Sequence, residues 1–179
     1  MIERLIIAGS GGQGVMLLGK ILAQGAMREN KQVTWLPAYG AEVRGGTAHC
    51  MVIISDEEIG SPYVERADAL IVLNAPSLNK FKNRLKPKGL LLLNSSLAPN
   101  FSDHKLQITQ QPFTNIAIEL GNIKVANMVA LGCFIAHKKI ISLNTALEVI
   151  ADIAPLDKKE LISINQKALQ EGAKLKCLE

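Results

Sequence analysis

Aromatic residues are scarce in this 179-residue chain, with four Phe, two Tyr and one Trp. So few rings give no stacking platform for bases beside the positive charge, which argues against nucleic-acid binding. Cysteine is scarcer. Cys50, Cys133 and Cys177 are odd in number, far apart and in no C-x-x-C pair. They read as neither a disulfide framework nor a zinc or iron–sulfur site. Long apolar runs are also missing. Stretches such as Gly89–Leu93 fall far short of the roughly 20 residues that cross a bilayer. Charge of one sign is not blocked together: 20 Lys and Arg stand against 16 Asp and Glu, and no segment is a basic tail. The opening Met1-Ile2-Glu3-Arg4-Leu5 carries an acid at position 3 and runs straight into a strand-like segment, unlike a secretory leader. The expectation is one soluble, cytoplasmic domain over residues 1–179, without a membrane span.

What is present is 48% hydrophobic and 20% charged, an ordinary globular composition. Arg4–Ala8, Val33–Leu36, Thr47–Ser55, Leu70–Asn74 and Gly89–Asn94 read as five short strands. Thr47–Ser55 is apolar on both faces, as an interior strand is. Helical spacing covers Gly12–Asn30. A helix over Pro76–Leu85 carries Lys80, Lys82 and Arg84 on its margins around Leu78, Phe81 and Leu85, a solvated amphipathic pattern. Pro112–Leu120, Val125–Ala136 and Ser142–Ala151 follow as helices, with Ser142 as a cap. The last helix starts at the capping box Asp157-Lys158-Lys159-Glu160, with Leu156 and Leu161 as its staple. The pattern implies a three-layer α/β/α domain on a mostly parallel or mixed sheet, with extra C-terminal helices packed on it.

Chemistry concentrates in two loops. Gly9-Ser10-Gly11-Gly12-Gln13-Gly14 satisfies G-x-G-x-x-G between a strand and a helix. Glycines there allow a tight turn and bring amide N–H groups toward an anion at the helix terminus, making Gly11, Gly12, Gln13 and Gly14 candidate cofactor-binding residues. The dinucleotide fingerprint also wants an acid closing the second strand, but Val33-Thr34-Trp35-Leu36-Pro37 offers none. A plain strand–helix connection therefore stands beside the phosphate-cradle reading. The second loop, residues 39–47, sets Tyr39, Glu42 and Arg44 beside Gly45 and Gly46. Arg suits bidentate recognition of a carboxylate or phosphate, and paired glycines admit close approach by a ligand or another chain. An internal Glu42–Arg44 pair on an exposed loop is the alternative. Glu58-Ile59-Gly60-Ser61-Pro62 reads as a turn. His49, His104 and His137 lack ligand spacing, and no G-x-S-x-G elbow exists. No catalytic residue and no metal site is assigned to this chain.

Taken in order, these stretches resemble a family. Gly-x-Gly-Gly-Gln-Gly-Val after a strand, Tyr-Gly-x-Glu-x-Arg-Gly-Gly-Thr-Ala, the Val-Ile-Ile-Ser strand and the Ile-Gly-Ser-Pro turn look like the gamma subunit of 2-oxoacid:ferredoxin oxidoreductases. Ala67-Asp68-Ala69-Leu70-Ile71 and Asn127-Met128-Val129-Ala130-Leu131-Gly132 extend the resemblance over most of the chain. Arg44-Gly45-Gly46-Thr47-Ala48-His49-Cys50 looks most like the 2-oxoglutarate branch, with Ala41 where a proline is usual and His49 where a small polar residue is. The resemblance implies one chain of an enzyme that oxidatively decarboxylates a 2-oxoacid with coenzyme A to an acyl-CoA and carbon dioxide. It implies alpha, beta and delta partner subunits, an electron carrier such as ferredoxin, and thiamine diphosphate, Mg2+ and iron–sulfur clusters held by the partners. On this reading the chain itself carries no cofactor, and Tyr39, Glu42, Arg44, Gly45 and Gly46 meet another subunit, substrate or coenzyme A. A stand-alone NAD(P)-binding dehydrogenase and the small subunit of an indolepyruvate oxidoreductase are the competing expectations.

Overall fold

The computed structural model describes residues 1–38, 47–153 and 159–175. Among them, six strands form one sheet: β1 (Ile2–Ser10), β2 (Gln32–Ala38), β3 (Thr47–Ser55), β4 (Ala67–Val72), β5 (Leu85–Asn94) and β6 (Gln107–Gln111). Their spatial order is β2-β3-β1-β4-β5-β6. β1, β4, β5 and β6 run parallel, whereas β3 runs antiparallel to both neighbours, β1 and β2. The sheet is mixed, and the reason is legible in the chain. Only residues 39–46 separate β2 from β3, and a parallel crossover needs a dozen residues or more.

The helices are α1 (Val15–Arg28), α2 (Ala75–Phe81), α3 (Phe113–Glu119), α4 (Ala126–Lys138), α5 (Leu143–Ile153) and α6 (Lys159–Ala173). The three layers are unequal. Leu5, Ile7, Cys50, Val52, Ala69, Ile71, Leu90 and Leu92 project to one face, under a core shared with α1, α3, α4, α5 and α6. The alternate residues Ile6, Ala8, Met51, Ile53, Leu70, Val72, Leu91 and Leu93 project to the other. There they meet Val64, Leu78 and Phe81, so that face is covered by α2 and neighbouring loops. Burial of both parities explains why these strands read as continuous apolar runs.

Three expectations are corrected. First, there are six strands and not five: the sixth, β6, has the sequence QITQQ. It is an edge strand in which Thr109 alone is fully buried, so it lacks an apolar run. It also places a strand ahead of the C-terminal helices. Second, the basic helix ends at Phe81 and not Leu85. Asn74 caps it by accepting the Ser77 N–H at 2.9 Å, and Pro76 occupies its first turn. A 3-10 turn, Lys82–Arg84, follows. The Arg84 guanidinium then donates to the Val64 and Glu65 carbonyls, and Leu85 is already paired with Ala67 in β5. Lys86 and Lys88 are therefore strand residues. Third, β2 runs through Pro37 to Ala38 and does not stop before it. Proline is accommodated because β2 is an edge strand.

The Ser142 cap is present, its Oγ accepting the Thr145 N–H at 3.0 Å. Glu29 reinforces it by accepting from Ser142 N and Thr145 Oγ1, both at 2.7 Å. Burial alone would raise the Glu29 pKa, but these bonds and nearby Lys31 pull it below its ordinary value. Leu156, Asp157 and Lys158 lie outside the described residues. At the far end of α4, the His137 ring ties helix to sheet. Its Nδ1–H donates to the Cys133 carbonyl at 2.8 Å, which leaves Nε2 to accept from Thr109 Oγ1 at 2.9 Å.

Candidate functional site at the C-terminal end of the sheet

The glycine turn stands where expected, between β1 and α1. Gly12 and Gly14 have φ of +87° and +71°, the left-handed region open to glycine at little cost. Gly11 and Gly12 face solvent, and a Cβ built on Gly12 meets nothing within 4 Å. Gly14 is different: a Cβ there would overlap the side-chain amide of Asn127. Gly14 is the N-cap of α1, and no side chain caps that terminus.

Gln13 turns inward. Its Oε1 accepts the Ser10 N–H at 2.6 Å and an Asn74 amide N–H at 3.2 Å, while its Nε2 reaches the Leu73 carbonyl at 3.4 Å. Asn74 Nδ2 also donates to Ser10 Oγ at 2.6 Å. The Leu73 carbonyl accepts in turn from Asn94 Nδ2 at 3.1 Å, and that same amide group donates to Thr114 Oγ1 at 2.8 Å. From the helix layer, Asn127 Nδ2 donates to the Gly14 carbonyl at 3.1 Å, and its Oδ1 accepts the Met128 N–H at 3.0 Å. Asn74, Asn94, Thr114 and Asn127 are all buried. Buried and satisfied in this way, their dipoles fix the turn to β4, β5 and α4. Sequence reasoning singled out the glycines and missed these amides. Their signal is polar Asn residues closing apolar strands at positions 74 and 94.

Tyr39, Glu42, Arg44, Gly45 and Gly46 lie outside the described residues. Their flanks are fixed: Thr47 pairs with Ser10 across β3 and β1, which sets the start of β3 beside the glycine turn. Lys80 Nζ donates to Thr47 Oγ1 at 2.8 Å. Two residues on, the His49 ring packs on Phe81 with centroids 4.7 Å apart. Burial first, then Lys80 and Arg84, hold the His49 pKa below its ordinary value. On the other face of β3, burial pushes the Cys50 thiol up to about 12, and its Sγ sits 3.6 Å from the Val15 carbonyl oxygen. Cys50 and Cys133 are buried, and no group of three or more His, Cys, Asp or Glu among the described residues is placed to hold a metal. No described helix is long and apolar enough to cross a membrane. A cleft of about 1060 Å³ lies elsewhere, along β6, lined by residues that include His104, Thr109 and His137. It contains none of Gly11, Gly12, Gln13 and Gly14.

In a doubly wound dinucleotide site, the strand carrying the ribose-binding acid runs parallel beside β1. Here that neighbour is β3, antiparallel, presenting its first residue to the glycine turn. The fold and this end of the sheet thus define a mixed-sheet α/β domain without the doubly wound dinucleotide arrangement.

The family model for pyruvate ferredoxin/flavodoxin oxidoreductase matches residues 4–175, and the chain belongs to that family. Ketoisovalerate oxidoreductase subunit VorA of Methanothermobacter thermautotrophicus is 38% identical over 170 residues, 95% of this chain. The chain spans only about a third of the length of that relative (35%). 2-Oxoglutarate synthase subunit KorC of Methanocaldococcus jannaschii is 33% identical over 172 residues, 93% of this chain and 92% of the relative. The crystal structure of the keto/oxoacid ferredoxin oxidoreductase gamma subunit from Geobacter sulfurreducens superposes with a TM-score of 0.82 at 32% identity, covering 95% of both chains.

Proposed function

We propose that the chain is the gamma subunit of a 2-oxoacid:ferredoxin oxidoreductase, with 2-oxoglutarate as the substrate of the assembled enzyme. The observation that carries this is the end-to-end match, more than nine tenths of both chains, to a 2-oxoglutarate synthase subunit and to an oxoacid oxidoreductase gamma subunit. The assembled cytoplasmic enzyme would convert 2-oxoglutarate and coenzyme A to succinyl-CoA and carbon dioxide, passing electrons to ferredoxin or a similar carrier. Thiamine diphosphate, Mg2+ and iron–sulfur clusters belong, on this reading, to the alpha, beta and delta partners. This chain's share is architectural. Gly11, Gly12, Gln13 and Gly14 form a turn locked from behind, and Tyr39, Glu42, Arg44, Gly45 and Gly46 serve as contacts to a partner, the substrate or coenzyme A.

A second reading, ketoisovalerate as substrate, is favoured by the higher identity to VorA. Native purification of the tagged chain, followed by assay with both oxoacids, coenzyme A and a low-potential acceptor, tests the proposal. Succinyl-CoA formation by the co-purified complex is expected, with the isolated chain colourless and inactive. Preference for ketoisovalerate would move the assignment to the second reading. Micromolar NAD(H) binding or turnover by the chain alone would restore the dehydrogenase alternative and overturn the gamma-subunit proposal.

A further inference from the structure

Charge is distributed along this domain by end. Residues 9–19, 73–79, 94–100 and 111–118 leave the C-terminal ends of β1, β4, β5 and β6, and these 33 residues contain no Asp, Glu, Lys or Arg. At the chain's overall 20%, about seven would be expected there from composition alone. The opposite end holds the ion pairs: Glu3 with Lys138, Asp68 with Arg4 and Lys86, and Asp56 with Lys31.

The uncharged end is one continuous surface. The Ala75 N–H donates to the Leu97 carbonyl, Ser95 N–H to the Gln111 carbonyl, Asn115 N–H to Ser96 Oγ, and Asn127 to Gly14. Its solvent-facing positions are glycines, serines, prolines and amides, together with large apolar side chains: Leu97 is 46% exposed and Ile118 55%. Among the described residues, charge returns at the margin, in Lys20, Lys80, Glu119 and Lys124. Loss of charge from the centre, apolar anchors and a charged rim are the composition of a protein–protein interface. Ten of these residues are exposed and none of the ten is charged, unlike an ordinary solvated face.

We infer that this uncharged end of the sheet is the face that docks the protein's larger partner, a polypeptide homologous to the two thirds of VorA lying outside the part this chain matches. The occupant is argued from the length relationship: in VorA, this domain is about a third of a longer chain, so the remaining polypeptide is bound to the domain in every molecule. The same neighbour needs a seat on this domain whether it is joined covalently or arrives as a separate chain. The part of its surface that faces these uncharged residues is neutral and apolar, because a charged one would lose its solvation there without an ion-pair partner. This inference rests on the proposed gamma-subunit reading.

The test uses the full tagged chain expressed in its own cell, with co-purifying chains identified by mass spectrometry. Leu97→Glu and Ile118→Glu place carboxylates on exposed positions, so the fold should tolerate them, as an unchanged melting temperature checks. Met27→Glu is the control, since Met27 is 63% exposed near the far end of α1. Expected is a loss of at least tenfold in recovery of the VorA-like partner for each of the first two variants, with none for the control. Full recovery with both variants, beside full recovery with the parent, overturns this face and leaves the gamma-subunit reading standing. A parent chain that brings down no such partner overturns both. If the parent instead forms a homodimer that the two variants dissolve, the face belongs to a second copy and the inference is likewise overturned.

Discussion

Gly132 of α4 and Gly172 of α6 sit against each other's helix backbone. A methyl group on Gly132 would overlap the Leu169 carbonyl oxygen, and one on Gly172 the Val129 carbonyl oxygen. The two helices therefore touch through main chain, with no side chain between them. Either Gly→Ala change gains up to about 1 kcal/mol of intrinsic helix propensity. It must also force the helices apart, which costs typically about 1–3 kcal/mol. Both variants are expected to be destabilised in urea titrations. A midpoint at or above the parental one would mean that α6 yields without cost.

The pair Gly14 and Asn127 should behave as one unit. Gly14→Ala introduces both a strained positive φ, costing about 1–2 kcal/mol, and an overlap with the Asn127 amide. Asn127→Ala removes one of the two donors to the Gly14 carbonyl, which keeps the Leu18 N–H, and leaves the Met128 N–H without its partner, costing about 1–3 kcal/mol. The double variant removes the overlap, so its loss should be smaller than the sum of the single losses, as measured in a double-mutant cycle. Gly12→Ala carries the φ strain alone and should cost less than Gly14→Ala. Strict additivity of the Gly14 and Asn127 losses would uncouple the residues.

These two positions also show where sequence reading stops. The motif announced Gly14 as a turn residue, because a local conformational need leaves a local signature. Asn127 was visible only within a stretch resembling known relatives, since nothing near position 127 says which carbonyl its amide will meet. Apolar runs such as Leu90–Leu93 were plain as strands for the same local reason. β6 was not, because an edge strand needs a partner more than a pattern. The direction of β3 was available from the short 39–46 connection, but it required reading loop length as topology.

His49 gives stability a pH dependence. Its folded pKa is lowered by burial and by Lys80 and Arg84, so below pH about 6.5 the unfolded chain binds a proton that the folded chain resists. This contribution is present above that pH and is lost as pH falls through the lowered value. Parental stability should therefore drop more between pH 7.5 and 5.5 than that of His49→Gln, as followed by chemical denaturation at both pH values. Equal drops would assign the dependence elsewhere.

Arg44, on the proposed reading, serves either assembly or anion capture, and one variant separates them. If it pairs with a buried carboxylate of a partner, Arg44→Ala should weaken co-purification by about 2–5 kcal/mol. If it steers the oxoacid or coenzyme A, the complex should persist with a raised KM, and Arg44→Lys should restore only part of the loss because the bidentate fork is gone. A fully assembled Arg44→Ala enzyme with parental kcat and KM would refute both roles.

The hydrogen bond from Asn127 to the Gly14 carbonyl spans 113 residues of sequence, and this has a consequence in time. The glycine turn is encoded in the first tenth of the chain, but one of the groups that locks it is synthesised only after two thirds of the chain has been made. β1 likewise waits for β3 and β4 before either of its edges is paired. Closing such long loops is what slows folding in proteins rich in distant contacts. On the ribosome, a nascent chain halted before residue 127 would carry the complete glycine motif without its lock. The turn should therefore resist proteolysis only after α4 has emerged, making the most recognisable part of the sequence one of the last to become structurally fixed.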